Sequence, residues 1–288
     1  MNRSSVLIFS LLIVSLLGGC AFHREPVWKQ AGSDRQTERT DALFAAAGKC
    51  FSTAGDGVAV NSCIAMQEAV LKNNPGHYQA RVNAATLYIL KGTAYSDSSS
   101  AKSAAFMQAM DHAELAMYTN PNFKAQVDAG RQPWEASDTL GAAEAEAMFF
   151  WVTALQYEFK EGMSLPAKVI NVDWLQHALT FLDRIEKVAP DFGGGGVEFG
   201  KVICYLVLPK SKGGSDEKGD EFMTKALARG DGWLLPRWAH GKYYLPMRGQ
   251  KQAATAELSW VAAQDLTKYR DPYPWRVHFQ DDARELLR

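Results

Sequence analysis

A glycine-rich stretch in the C-terminal half has the residue types and spacing of a phosphate-binding loop. Residues 195–201, GGVEFGK, fit the pattern G-x-x-x-x-G-K, in which backbone amides cradle phosphate groups and the lysine balances their charge. That chemistry also needs a strand before the loop and a hydroxyl side chain after the lysine. Here a helical pattern precedes the loop and Val202 follows it. The glycines at 193–196 therefore predict a tight turn and close packing before a helix that begins near Val197.

Other residue types that support catalysis are scattered singly along the chain. The histidines considered for such a role are His77, His112, His177, His240 and His278. None of them belongs to HExxH or a comparable metal spacing, and no G-x-S-x-G elbow occurs. Glu144 and Glu146 lie two apart on a predicted helix, so they point to different faces. We therefore expect no catalytic residue, metal ion or cofactor, and a protein that is not an enzyme.

The charge balance excludes one large class of partner. The chain has 31 basic and 32 acidic side chains, a net charge of −1. Nucleic-acid binding needs a basic patch, so we expect no nucleic-acid partner. With 47% hydrophobic residues, the chain can fill a large core.

The first twenty residues combine several features of an export signal. Arg3 precedes an apolar run at 6–17, which is short for a membrane span and ends in LGGC. This resembles a bacterial lipobox, in which the thiol of Cys20 takes a diacylglyceryl group. It predicts a signal peptide at 1–19 and an exported, lipid-anchored protein. Ala21 after the cysteine resembles the pattern for sorting to the periplasmic face of the outer membrane.

The chain beyond the lipobox divides into two parts. Residues 20–37 are polar and unpatterned, which predicts a lipidated cysteine followed by a flexible tether. Residues 38–288 show helical periodicity almost throughout, which predicts one all-helical domain.

Three further cysteines follow Cys20. Cys50 and Cys63 lie close in sequence, and an exported compartment allows them to pair. A disulfide there would stabilise the fold by about 3 kcal/mol in the chain-entropy model. Two buried free thiols are the alternative, with the disulfide favoured. Cys204 lies in an apolar run and is predicted to be a buried core thiol.

The helical segments recur in pairs. Three amphipathic segments end at Pro75, Pro121 and Pro190, each followed shortly by an aromatic residue. Further pairs are expected at 197–208 with 216–229 and at 233–244 with 251–265, and a last short helix at 275–287. The pattern resembles degenerate tetratricopeptide repeats with insertions such as AYSDSSSAKS and PWEASDTLGA. The predicted fold is all-α, with antiparallel helix pairs forming a compact α-solenoid.

Aromatic residues concentrate in two of these helical segments, with arginine or lysine beside one of them. A run of adjacent aromatic residues cannot all be buried by one helix face, so part of it should border a cavity or an interface. The candidates for such a cavity or interface are Phe149, Phe150, Trp151, Tyr205, Arg237, Trp238, Tyr243 and Tyr244. An apolar cavity with a cation at its mouth would suit a hydrophobic or carboxylate-bearing small ligand.

Several segments together resemble a known family. They are the lipobox, AEAMFFW, IEKVAPDFGGGGVEFGKVICYLVLPKSKGGSDEKGDEFMTKAL, WAHGKYYLPMRGQKQAATAELSWV and the terminal DDARELL. In this order they are similar to the TatT family, the lipoproteins associated with TRAP-type transporters. The resemblance is most specific from Ala178 to Leu287.

The resemblance implies a periplasmic, helical homotrimer without catalytic residues. Each protomer would contain a hydrophobic tunnel or cleft, dock the TRAP solute-binding subunit and relay a hydrophobic or carboxylate ligand. The alternative function is a lipoprotein scaffold whose repeat groove holds envelope proteins. The scaffold predicts an open concave surface, whereas ligand relay predicts an apolar cavity.

Overall fold

The computed structural model describes residues 21–22, 24–32 and 37–288, so the predicted signal peptide and Cys20 lie outside the described residues. The described residues form α-helices joined by turns and by one longer connection at 129–144, and they contain no β-strand. The helices are α1 Glu38–Phe51, α2 Gly57–Asn73, α3 Tyr78–Tyr95, α4 Ser99–Met117, α5 Pro121–Asp128, α6 Ala145–Tyr157, α7 Leu165–Ile170, α8 Trp174–Val188, α9 Gly196–Val207, α10 Asp216–Arg229, α11 Leu235–Ala239, α12 Leu245–Met247, α13 Lys251–Ala262 and α14 Tyr273–Leu286. The prediction of an all-α fold is confirmed.

Short polar side chains set where several helices begin. Asp56 accepts a hydrogen bond from the amide of Ala59 at the start of α2, and Ser98 does the same for Ala101 at the start of α4. Asn120 caps α5, where Pro121 occupies the first turn and has no amide to leave unpaired. These caps supply partners for amides that a helix cannot satisfy within itself.

One predicted helix, 233–244, is interrupted in the structure. The chain runs through α11, widens into a π-helical turn at His240–Tyr244 and ends in α12. Pro246 in α12 has no amide for the helical ladder, and such a gap is commonly accommodated by a local change of helical pitch. The wider turn rotates Tyr243 and Tyr244 relative to Trp238.

Consecutive helices pack as neighbours through most of the chain. Each of α1, α2 and α3 contacts the next helix, α4 and α3 pack on α6, and α8 to α10 continue the series. The terminal helix α14 returns to α3, where the indole of Trp275 donates to the hydroxyl of Thr86 at 2.7 Å. Buried apolar side chains from these helices form one large core, with Trp151, Phe181 and Trp238 among its largest members.

The glycine-rich stretch is a tight turn between α8 and α9. Gly193, Gly194 and Gly195 have φ values of 81°, 51° and 91°, a region that side chains disfavour. A Cβ on Gly195 would lie 2.4 Å from the carbonyl oxygen of Ala226, so the turn also needs glycine for its close approach to α10. The predicted turn is confirmed. Lys201, the lysine of the motif, is instead buried, and its Nζ is ion-paired with Oε2 of Glu186 at 2.6 Å.

The cysteines occupy two kinds of environment. Cys50 and Cys63 form a disulfide that joins α1 to α2. Cys204 is a buried free thiol, as the sequence predicts, and burial raises its pKa to about 12. A thiol held in that state is unreactive at neutral pH.

The segment predicted to be a flexible tether is packed on the helical domain. The amide of Phe22 donates to Oδ1 of Asn171 at 2.6 Å, and its ring lies edge-on to Trp174. Trp28 is buried, with 8% of its surface exposed. Arg24 forms ion pairs with α4. The prediction of a flexible tether is wrong for these residues. The segment is polar in overall composition, but two aromatic side chains, Phe22 and Trp28, and one cation, Arg24, each contact the helical domain.

Within the described residues, no helix combines the length and the apolar character that a bilayer-spanning segment requires.

Candidate functional site

A cavity of about 250 Å³ lies between the packed N-terminal segment and the helical domain. Its walls are the 24–28 segment, α4, the 132–134 turn and the first residue of α8. The side chains that give it chemical character are Arg24, Glu25, Trp28, Glu114, Trp134 and Trp174. We call this cavity the tryptophan pocket.

Arg24 is the buried cation of the tryptophan pocket. Its Nη2 lies 2.8 Å from Oδ1 of Asp111 and 3.1 Å from Oε1 of Glu114, and its side chain is 5% exposed. Burial lowers the pKa of Arg24, but the charges of Glu114 and Asp111 outweigh it and raise the pKa above its ordinary value. Arg24 is therefore cationic, and its buried Nε has no hydrogen-bond partner among the described residues.

Glu114 joins this cation to the core. Its Oε1 accepts a hydrogen bond of 2.8 Å from the indole of Trp151, which is fully buried. Burial raises the pKa of Glu114, opposed by the charge of Arg24 and by the bond from Trp151. Trp151 therefore does not line the cavity. It holds the carboxylate of Glu114 in place through this hydrogen bond.

The tryptophan rings of the pocket are held by one another. Trp134 and Trp174 have ring centroids 5.2 Å apart at 72°, an edge-to-face contact. On its other side Trp134 stacks on His177 at 3.9 Å, and Trp174 also meets Phe22. His177 is therefore a stacked aromatic wall, and its burial lowers its pKa. The pocket has a pre-formed aromatic lining.

A second region repeats the same interactions around a buried indole. The indole of Trp238 donates to Oδ2 of Asp282 at 2.8 Å, and Nζ of Lys242 pairs with Oδ1 of Asp282 at 2.6 Å. Tyr243 and His278 pack edge-on to Trp238, which is only 1% exposed. We call these five residues the Trp238 cluster.

Burial dominates the titration behaviour of the Trp238 cluster. It raises the pKa of Tyr243 well above its ordinary value, and the charges of nearby acids add to this. It lowers the pKa of His278 from 6.5 to about 4. Tyr243 also accepts a hydrogen bond of 3.1 Å from Nζ of Lys160. The cluster is therefore a packed polar core with a neutral histidine and a neutral tyrosine.

The structure does not bring the eight predicted aromatic and cationic candidates into one site. Trp151 backs the tryptophan pocket, while Trp238 and Tyr243 lie in the Trp238 cluster. Phe149 and Phe150 are half-buried and contact each other, and Phe149 also meets Phe192. None of the eight lines the tryptophan pocket.

The remaining three candidates are engaged elsewhere. Arg237 pairs with Glu257 and lies over the ring of Trp260 at 3.9 Å, and it does not line the tryptophan pocket. Tyr244 donates to Asp220 at 2.7 Å. Tyr205 stacks on Phe222. Residues that are neighbours in sequence diverge here because adjacent positions on a helix point in different directions.

A second cavity, of about 350 Å³, borders the glycine turn. Arg229 and Arg270 line it together with Asp191 and Asp231, so acids accompany its two cations. Trp233 is its one tryptophan, and Arg229 is already paired with Glu198 at 3.0 Å. It has less aromatic lining than the tryptophan pocket and shares none of its residues. No group of three metal-binding side chains occurs among the described residues either.

Sequence reasoning missed the residues that line the tryptophan pocket. Arg24 and Trp28 lie in the presumed tether, and Trp134 lies in a stretch interpreted as an insertion. The available signal was the tryptophan itself, since a large aromatic residue in a polar segment usually has a packing partner. Protein-family models give no match to the chain, and characterised proteins give no significant match.

Proposed function

We propose that this chain is a lipid-anchored, exported helical-repeat protein that binds a small molecule in the tryptophan pocket. In this proposal Cys20 carries the lipid on the periplasmic face of the outer membrane. The protein associates with a TRAP-type transporter, docks the solute-binding subunit of that transporter and relays the ligand to it. The observation that carries the ligand-binding part is the cavity with three tryptophans and a buried arginine.

The size and lining of the pocket suit a small organic ligand. Its volume of about 250 Å³ holds roughly eight water molecules at about 30 Å³ each. Pre-formed apolar walls with a few fixed polar groups are typical of small-molecule sites. Trp28, Trp134 and Trp174 supply the walls, and Arg24 and Glu114 supply the fixed charges.

The sequence predicts a hydrophobic or carboxylate-bearing ligand. The charges of the pocket favour a ligand that carries both a carboxylate and a positive group, a zwitterion. Arg24 offers its unpaired Nε to an acceptor, which a carboxylate would provide after a small shift of the 24–28 segment. Its single positive charge is already paired with two acids, Asp111 and Glu114. A bare anion would be repelled, whereas a positive group on the same molecule would be attracted by the acids and the tryptophan rings.

The arrangement of helices supports the repeat part of the proposal. Helices that follow one another in the chain pack as neighbours from α1 to α4 and again from α8 to α10, which is the arrangement expected of a tetratricopeptide-like α-solenoid. The homotrimer and the transporter partner rest on the sequence resemblance to the TatT family. That resemblance also underlies the proposal that the protein is not an enzyme.

Native mass spectrometry of the mature chain, released from membranes in mild detergent, tests this function. We expect a trimer that carries one small zwitterionic molecule per protomer, and we expect the TRAP solute-binding subunit to bind to it. A ligand-free monomer that does not bind that subunit would contradict the proposal. That result would favour the lipoprotein scaffold.

A further inference from the structure

The short helix α7 displays an apolar face to solvent. Leu165, Val169 and Ile170 are 75%, 69% and 39% exposed, and Pro166 between them is exposed as well. These four side chains lie within six consecutive residues, and we call them the α7 face. Clustered aliphatic exposure of this kind marks a contact surface, whereas single exposed apolar residues are ordinary.

The described part of the N-terminal segment begins close to the α7 face. The amide of Phe22 is bonded to the side chain of Asn171, which directly follows Ile170 at the end of α7. Cys20 precedes Phe22 by two residues in the sequence, and two residues of fully extended chain span at most about 7 Å. Acyl chains on Cys20 would therefore leave the protein beside α7.

The charges around α7 are compatible with a membrane surface. Lys168, the one charged residue of α7, turns away and donates to the backbone carbonyl of Lys160 at 2.8 Å. The nearest acids along the chain, Glu161 and Asp173, are each paired with a lysine. The acids that flank α7 in the sequence are therefore both neutralised by a lysine.

We propose that the α7 face inserts into the lipid layer that holds Cys20. The inference rests on the proposed lipidation of Cys20, since the acyl chains bring the bilayer to this side of the molecule. Aliphatic side chains at an anchored surface gain by leaving water for the boundary between head groups and acyl chains. The contact fixes how the protein stands on the membrane, and it does so because the 22–28 segment is docked rather than free.

An environment-sensitive fluorophore on the full-length lipidated protein tests the contact. Val169→Cys places the label on the α7 face, and Val58→Cys is the matched control, since Val58 is a 79% exposed valine on α2. The native cysteines do not compete for the label, because Cys50 and Cys63 are paired, Cys204 is buried and Cys20 is acylated. The proteins are reconstituted on phosphatidylcholine vesicles with and without a lipid-borne quencher.

We expect the label at residue 169 to shift its emission to shorter wavelength and to be quenched by the lipid-borne quencher. The label at residue 58 should do neither. If Cys20 is acylated and the label at 169 behaves like the label at 58, the contact is overturned while the anchor stands. A shift without lipid quenching would also overturn it, because the face would then be covered by protein. If the mass of the N-terminal peptide shows no acyl group, the anchor fails and the contact fails with it.

Discussion

The tryptophan pocket and the Trp238 cluster are built on the same three groups. In each, a buried indole donates at 2.8 Å to a carboxylate that is ion-paired with a cation: Trp151, Glu114 and Arg24 in one, Trp238, Asp282 and Lys242 in the other. In the Trp238 cluster Tyr243 and His278 pack against the indole, and Phe279 lies beside it. Beside Glu114 the space remains a cavity.

The origin of the cation explains this difference. Lys242 lies four residues after Trp238, in the π-helical turn that follows α11, and Asp282 lies on α14, so all three groups belong to the helical domain. Arg24 comes from a segment outside the helical domain, which lays a separate wall over α4. When the cation that pairs with the carboxylate comes from a separate segment, a ligand-sized space can remain between that segment and the helical domain. The two regions should therefore respond differently to matched substitutions.

The largest expected effect is on stability in the Trp238 cluster. Trp238→Ala should lower the free energy of unfolding by about 3–5 kcal/mol, because it leaves a hole in a closely packed core. Urea unfolding measures the loss. Trp134→Ala in the tryptophan pocket should cost less, since Trp134 is half-buried beside an existing cavity. Equal losses would contradict the distinction between a packed region and an open one.

The next effect concerns how the N-terminal segment is held. Glu114→Gln removes one of the two acids paired with Arg24 and should cost about 1.5–3 kcal/mol, the range for a hydrogen bond to a charged group. Tryptic cleavage after Arg24 should become faster, because the segment undocks more often. Asp282→Asn is the matched change and should leave cleavage at Arg24 unaltered. Unchanged cleavage in Glu114→Gln would show that this ion pair does not hold the segment.

Acid should destabilise the molecule partly through His278. Because burial lowers its pKa from 6.5 to about 4, the unfolded chain binds a proton below 6.5 that the folded chain does not bind. The contribution of His278 to the free energy of unfolding is therefore present above pH 6.5 and is lost as the pH falls toward 4. The loss is about 1 kcal/mol between pH 7 and 5.5. His278→Gln should remove this part of the pH dependence in urea unfolding. His177→Gln, at the half-buried stacked position, should remove less, and the reverse order would contradict the assignment.

The smallest effect is expected for one hydroxyl. Tyr243→Phe removes the group bonded to Lys160 and should lower the free energy of unfolding by about 0.5–1.5 kcal/mol. Thermal or urea unfolding detects a change of this size. Ligand content should be unaffected because Tyr243 does not line the pocket, so a change in ligand content would link the two regions.

Helix positions followed from the sequence because periodicity and capping are local signals. The predicted span 216–229 coincides with α10, and the predicted last helix differs from α14 by at most two residues at either end. The sequence did not predict the π-helical turn at His240–Tyr244, because the pattern of apolar residues does not indicate where a helix widens locally. The tryptophan pocket was missed because it joins Arg24, Glu114 and Trp134, which are far apart in the chain. Arg24 joins the other two through the packing of the N-terminal segment.

The ligand content of purified variants tests the central claim most directly. The mature protein, Trp134→Ala and Tyr243→Phe are each denatured, and the released small molecules are quantified by mass spectrometry. We predict one zwitterionic compound with the parent protein and with Tyr243→Phe, and at least about a tenfold loss with Trp134→Ala, since a lost aromatic wall of about 1.4 kcal/mol gives that factor. Equal amounts of the compound in all three, or none in the parent protein, would contradict the tryptophan pocket as the binding site.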